Sequence, residues 1–226
     1  MSKKVDLEIK VPQNWSAVPL RKYLKLMEDM EVYKDTEEAV EAALFYHLCD
    51  VPPNYLTKLD ISIYTDIRNE LYKLVNIKDA PLKRIITIDG KRYGFEPNLG
   101  EMEYGAYLDL MKYKEVKIDE NWAELMSILY RPVTNTIGPL YEIETYKGKL
   151  DKELFMDVPM DVHFGAMFFF LHTLGDLVND ILSSLKEVQL PPNIKSTLEK
   201  NGEVIRQLYN YREMISPNSL MSLVHH

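Results

Sequence analysis

The chain of 226 residues contains a single cysteine, Cys49, which excludes an internal disulfide and any zinc site built on two or more thiolates. This usage suits a reducing compartment. Cys49 follows Leu48 in a helical pattern and stands just before Pro52-Pro53, the setting of a small buried side chain rather than of a nucleophile. Glycine is scarce as well, nine in all, and neither Gly-x-Gly-x-x-Gly nor Gly-x-x-x-x-Gly-Lys-Ser/Thr occurs. The usual backbone cradles for phosphate are therefore missing, as is the Gly-x-Ser-x-Gly elbow of serine hydrolases.

Positive charge is in deficit too. Thirty-five acids against 27 basic residues give a formal net charge of −8, and the densest basic stretches, Lys3-Lys4 and Lys83-Arg84, are too short to track a phosphate backbone, so no specific nucleic-acid partner is expected. The longest apolar-rich run, Phe164 to Leu174, is interrupted by His172 and falls well short of the ~20 residues that span a bilayer. The first residues turn acidic and alternating at once, without the apolar segment of a signal peptide. No membrane partner is expected. No repeat of 20 to 50 residues and no low-complexity segment is visible.

What is present is an ordinary globular composition, 46% hydrophobic and 27% charged, enough to bury a substantial core. The expected fold is α+β and predominantly helical, a helical bundle with a small antiparallel sheet. It is read as a single domain over 1–226, with a possible sub-boundary near 78–83 and a loosely ordered tail over 213–226. Val5, Leu7, Ile9 and Val11 alternate with charged residues, which predicts a first strand ending at Pro12. Leu20, Tyr23, Leu24, Met27 and Met30 form a helical stripe after Pro19.

Asp35 with Glu38 resembles a capping box ahead of a second stripe through Val40, Ala43, Leu44 and His47/Leu48. A short turn near Tyr55–Leu59 precedes a helix capped by Ser62 that aligns Ile63, Ile67, Leu71, Leu74 and Val75. Arg84 to Phe95 reads as two strands joined by Asp89-Gly90, the pair best suited to a tight primed turn, because both central residues need positive φ.

Glu103 to Tyr113 predicts a helix. Asp119 caps another with Trp122, Leu125, Met126 and Leu129 buried, stopped by Pro132. Tyr141, Ile143 and Thr145 suggest a short strand. Pro159 to about Lys186 predicts the longest helix, with Phe164, Met167, Phe168 and Leu171 on its stripe and Phe169 and Phe170 widening it to nearly the whole circumference. Such a helix is either central in the fold or seated on another chain. A last helix is expected over Asn193–Tyr211.

Three groups of residues invite a chemical reading. The five histidines contain no helical metal pair, since His163 and His172 fall on roughly opposite sides of one helix. His172, Asp176 and Asp180, spaced i, i+4, i+8, could join a metal or general-base site if a second helix supplied further ligands, or could be the polar side of a greasy helix. Asp157 and Asp161 are one of many carboxylate pairs that so acidic a chain contains. The fifteen tyrosines, among them Tyr23, Tyr46, Tyr64, Tyr72, Tyr104, Tyr107 and Tyr130, suit either half-buried packing or a contact surface.

Leu99-Gly-Glu-Met-Glu-Tyr-Gly-Ala-Tyr-Leu-Asp109, Leu129-Tyr-Arg-Pro132, Met156-Asp-Val-Pro-Met160 and Phe164-Gly-Ala-Met-Phe-Phe-Phe170 together resemble small proteins encoded among the virion genes of tailed bacteriophages, including those of crAss-like phages. The resemblance spans about residues 5 to 185. It implies a place in the particle or in its assembly, hence in the virion or the host cytoplasm. Other phage structural proteins would be the partners, in an oligomeric or multi-copy assembly. No catalytic residue, cofactor or metal ligand comes with it.

Two roles fit that class. One is packaged cargo or a structural component; the other is a tail assembly chaperone binding the tape-measure protein. A different class, a small intracellular enzyme using the His172/Asp176 stripe, remains open. The expected reading is a non-enzymatic protein acting by protein–protein contact, with Phe164, Phe168, Phe169 and Phe170 as its interaction surface.

Overall fold

The structure is a computed structural model and describes residues 8–76, 79–113 and 118–186, with side chains as far as residue 173. The helix expected over 193–211 and the tail over 213–226 lie outside the described residues. Those described form eight α-helices and one four-stranded antiparallel sheet, the predominantly helical α+β fold that the sequence predicts.

The first expected strand does not form over its described part: residues 8–12 pair with no neighbour, and Val5 and Leu7 lie outside the described residues. The alternation is nonetheless real. Ile9 and Val11 pack half-buried against the core while Glu8 and Lys10 face solvent. Period two encodes a one-sided extended segment, and it says nothing about whether a second strand lies alongside.

A single 3-10 turn, Trp15–Ala17, then leads into α1 (Leu20–Tyr33). Leu20, Tyr23, Leu26 and Met30 are its buried stripe, and Leu24 and Met27 are half-buried. The second helix, α2 (Glu37–Cys49), starts one residue later than the capping box requires. Thr36 is the N-cap, Glu38 therefore stands at the second helical position instead of the third, and no side chain caps the end. At the other end Asp50 takes φ 57° and its N–H bonds the Tyr46 carbonyl at 3.1 Å, while the Val51 N–H reaches back to the Phe45 carbonyl at 3.2 Å, closing the helix with a left-handed cap.

After α3 (Pro53–Leu56), α4 (Ile61–Val75) is entered through Asp60 instead of Ser62. It buries Ile67, Leu71, Leu74 and Val75 but leaves Ile63 exposed.

The hairpin is formed as the Asp-Gly pair dictates. β1 (Ile85–Ile88) and β2 (Lys91–Phe95) pair with Ile88 opposite Lys91, and Asp89 and Gly90 have φ of 48° and 77°. α5 (Tyr104–Leu110) and α6 (Trp122–Leu129) follow. Pro132 does not stop α6. The helix ends at Leu129 and the chain passes directly into β3 (Tyr130–Ile137), with Pro132 paired opposite Tyr93. The proline is tolerated there because the bond made at that residue uses its carbonyl, which accepts from the Glu144 N–H at 2.9 Å.

β4 (Leu140–Ile143) closes the order β1-β2-β3-β4, and a register shift falls between Val133 and Asn135. Gly94 in β2 makes room for β4, whose Tyr141 ring would stand 2.5 Å from any Cβ there. The Tyr141 hydroxyl donates to the Phe95 carbonyl at 2.6 Å.

Finally α7 (Glu153–Met156) leads into α8 (Met160–Lys186). Two backbone bonds tie the starts of α1 and α8 side by side: Leu20 N–H to the Val158 carbonyl at 3.1 Å, and Met160 N–H to the Val18 carbonyl at 2.8 Å. The core is one cluster drawing on residues from Trp15 to Phe170.

Residues 79–83, where the sequence suggests a sub-boundary, cross α8 closely. A Cβ on Gly165 would lie 2.4 Å from the Pro81 carbonyl oxygen. Backbone cannot step aside as a side chain can, so Gly165→Ala is expected to cost about 1–3 kcal/mol of stability, read as a lower urea midpoint with unchanged slope. An unchanged midpoint would show that this crossing is not tightly packed.

Candidate protein–protein interaction surface

The phenylalanines of α8 are not the surface that the sequence suggests. Phe164, Phe168 and Phe170 are buried, and Phe169 is half-buried against the core. Phe164 packs edge-on to Trp15 at 5.2 Å and to Tyr23 at 5.6 Å, while Phe169 and Phe170 meet Phe95 at 5.3 and 6.0 Å. An apolar circumference is satisfied equally by a partner chain or by the protein's own elements, and here α1 and the 3-10 turn cover one side and the sheet another.

The groups with chemical potential are also held in packing roles. Cys49 is buried, and burial pushes its thiol up to about 11, so thiolate is scarce at neutral pH. His163 is fully buried. Its Nδ1 accepts from the Trp122 indole N–H at 3.1 Å, which leaves the proton on Nε2, facing the Val158 carbonyl at 3.2 Å. Burial drives this imidazole down to about 4, although its bond to Val158 opposes the change.

His172 is exposed, and the side chains of Asp176 and Asp180 lie outside those described. Asp157 and Asp161 serve different cations, Arg21 at 3.0 Å and Lys83 at 2.6 Å. Among the described residues, no three His, Cys, Asp or Glu side chains are grouped so as to hold a metal ion, and no helix is long and apolar enough to cross a membrane.

One buried cluster escapes sequence reasoning. Glu41 of α2 accepts from the Tyr64 hydroxyl, from Tyr72 at 3.1 Å and from Arg68 Nε at 2.5 Å, all on α4. Burial, then the bond to Glu41, pushes the Tyr64 and Tyr72 hydroxyls up to about 12. A buried carboxylate so fully engaged joins two helices, and nothing about it needs a substrate.

The unusual surface is α5. Tyr104, Tyr107, Leu108 and Met111 are spaced i, i+3, i+4, i+7, which at ~100° per residue confines them to an arc of about 100°. All four face solvent, with exposures of 73, 44, 45 and 61%, and the two tyrosine rings stack at 6.5 Å. The inward side of the helix carries Ala106, buried, and Leu110, half-buried against the core. Most of its apolar bulk therefore lies outside, with one methyl group and one half-buried leucine inside.

Polar anchors hold it in that orientation. The Tyr146 N–H donates to Glu103 at 3.0 Å, and its hydroxyl donates to Asp109 at 2.6 Å, so one residue grips both ends of the helix. Gly105 lets the Tyr146 ring lie alongside, 3.4 Å from where a Cβ would stand. Behind them the buried Arg131 guanidinium donates to Glu96 and Glu103. Burial opposes ionisation of Glu103, but the Tyr146 N–H and Arg131 outweigh it and hold the carboxyl below its usual range. The Lys112 ammonium, then the Tyr146 hydroxyl, do the same for Asp109.

A second exposed feature is the end of the β3–β4 ribbon. Thr134 to Leu140 all face solvent and carry no charge, with Ile137 and Leu140 paired across the turn. Tyr46 stands alone on α2, and Tyr23 and Tyr130 are buried.

Two expectations follow from the interior. Phe168→Ala should remove about 3–5 kcal/mol of stability, measured by denaturant unfolding, as a core residue requires and a surface residue does not. His163 makes the fold acid-sensitive. The unfolded chain takes up this proton from about pH 6.5, whereas the folded protein resists until about 4. Its contribution, roughly 3 kcal/mol, is therefore complete above pH 6.5 and lost as pH falls through that window. Thermal melts from pH 7 to 4 should show the loss, and His163→Gln, which cannot take up the proton, should flatten it.

No family model matches the chain, and neither a curated protein nor a solved structure shows significant similarity to it.

Proposed function

We propose that the protein is a non-enzymatic bacteriophage virion or virion-assembly protein that acts through protein–protein contacts, first as packaged cargo or a structural component of the particle. The observation that carries the contact role is the outward apolar arc of α5. A helix that turns Tyr104, Tyr107, Leu108 and Met111 to solvent while giving its own core only Ala106 and half-buried Leu110 is built to be covered by something else. The sequence resemblance to virion-gene proteins supplies the setting, the virion or the host cytoplasm. The non-enzymatic reading draws support from Cys49, His163 and Glu41, the groups best suited to nucleophilic or acid–base work, since packing and hydrogen bonds already occupy each of them.

The test is a mass-spectrometric inventory of purified particles set against infected-cell lysate, for the wild type and for the double variant Tyr104→Ser/Leu108→Ser. Stoichiometric presence in particles is the expected result. The variant should keep its stability within about 0.5 kcal/mol, because the changes are on the surface, and should drop at least tenfold in particle content. Abundance in lysate with absence from particles would replace the cargo role by that of a tail assembly chaperone. A protein that co-purifies with no phage component in either fraction would overturn the reading.

A further inference from the structure

The α5 face also indicates the chemistry of what covers it. Four anchors at i, i+3, i+4 and i+7 are the pattern of a helix laid into an apolar groove. The acids around them are Glu101, Glu103 and Asp109; Lys112 pairs with Asp109 at the far end, and Lys149, which also acts on Asp109, is offset by its pair with Glu124. Glu101 is exposed and forms no ion pair among the described residues. Arg131 contributes little positive field, because it is buried beneath the helix and already neutralised by Glu96 as well as by Glu103. The rim is thus net acidic around an apolar stripe.

Two physical arguments weigh against a second copy of this chain as the occupant. The face is short. Four side chains at these exposures offer roughly 400 Å² per partner, about half of what a stable two-body interface buries, so two such faces meeting flat would not hold. A groove gains more by wrapping the sides of the helix and taking in its rim. Charge points the same way, since two copies would bring together two acidic rims on chains that each carry −8.

We infer that α5 docks into an apolar groove edged with lysine and arginine on a different protein. This rests on the contact role proposed above and goes beyond it by naming the surface and the partner's chemistry.

The test uses the full chain, made in infected cells, with Tyr104→p-benzoylphenylalanine as a photo-crosslinker and the crosslinked peptides sequenced. The expected product joins Tyr104 to an apolar segment of another protein that is flanked by Lys or Arg. Adding Leu108→Ser should abolish the product, and adding Glu101→Lys should lower its yield about fivefold, the worth of one exposed charge contact. The same crosslinker in place of exposed Lys58 should not form it.

Crosslinks to peptides of this same chain, together with a dimer in sedimentation velocity that Tyr104→Ser/Leu108→Ser dissolves, would overturn the inference in favour of self-association. A partner segment without basic flanks, or no product at all, would overturn it too. The two proposals fail separately. A basic-edged partner that is not a phage protein would remove the virion role and leave the surface, whereas particle incorporation without any Tyr104 product would remove the surface and leave the role.

Discussion

The first half of α8 has to be covered on almost every side, and the rest of the fold is arranged around that requirement. Phe164 is met by Trp15 and Tyr23 from the N-terminal helices, Phe169 and Phe170 by Phe95 from the sheet, and Gly165 by the backbone at Pro81. These contacts bring together segments that are far apart in sequence, so the helical bundle and the hairpin share one core. Three of the aromatic polar groups that such packing buries are paired, while Asp161 Oδ1 on α8 is buried without a partner. Trp15 donates to the Leu74 carbonyl at 2.9 Å, Tyr130 to the Lys83 carbonyl at 2.6 Å, and Trp122 to His163. Each unpaired donor would cost about 1–3 kcal/mol, so these bonds fix which aromatic stands where.

Away from that centre the structure changes its means of attachment. α5 has a small apolar underside, Ala106 and half-buried Leu110, and is held chiefly by Arg131, Glu103, Tyr146 and Asp109. A buried guanidinium is expensive unless its charge is matched. Glu96 and Glu103 match it, while Arg131 Nε stays buried without a partner. Polar anchoring of this kind adds little to stability for the area it occupies, but it has a geometric effect that apolar packing lacks. It fixes the rotation of a short helix about its own axis without using any large side chain, and so leaves those side chains available.

How much of this the sequence reveals depends on whether a pattern names a direction as well as a period. The long stripes of α1, α4 and α8 were legible because only helical spacing aligns Leu20, Tyr23 and Met30, or Ile67, Leu71 and Leu74, and the hairpin because Asp89-Gly90 supplies two positive φ values cheaply. β3 was not legible. Its inner residues, Tyr130 to Pro132, are buried in continuation of α6 with no break between them, and its outer residues, all exposed, have no alternation to show.

The exposed apolar surface was misplaced for a related reason. Periodicity marks Tyr104 and Tyr107 as sharing a face but not whether that face points in or out, and an apolar circumference at Phe164–Phe170 fits core and interface alike. The available clue lay on the other side of α5. Gly105 and Ala106 fill little of a core and leave Leu110 as the one large apolar side chain opposite a stripe of four, which signals a helix turned outward.

This also bears on what binding through α5 would cost. A helix of seven residues has little intrinsic helicity, and an isolated segment of that length would have to be ordered at the moment of docking. Here the ordering is already done by folding, because Tyr146 holds Glu103 at the first turn and Asp109 at the last, while the stacked rings of Tyr104 and Tyr107 restrict one another. Less conformational entropy is then left for a partner to remove, so a modest apolar area can support a useful affinity. The contrast with the β3–β4 tip makes the point. Ile137 and Leu140 are more exposed than every α5 anchor except Tyr104, but they sit at the end of a two-stranded ribbon with solvent on both faces, where nothing outside the ribbon sets their direction. Between α5 and this tip, α5 is the one whose geometry is fixed before any partner arrives.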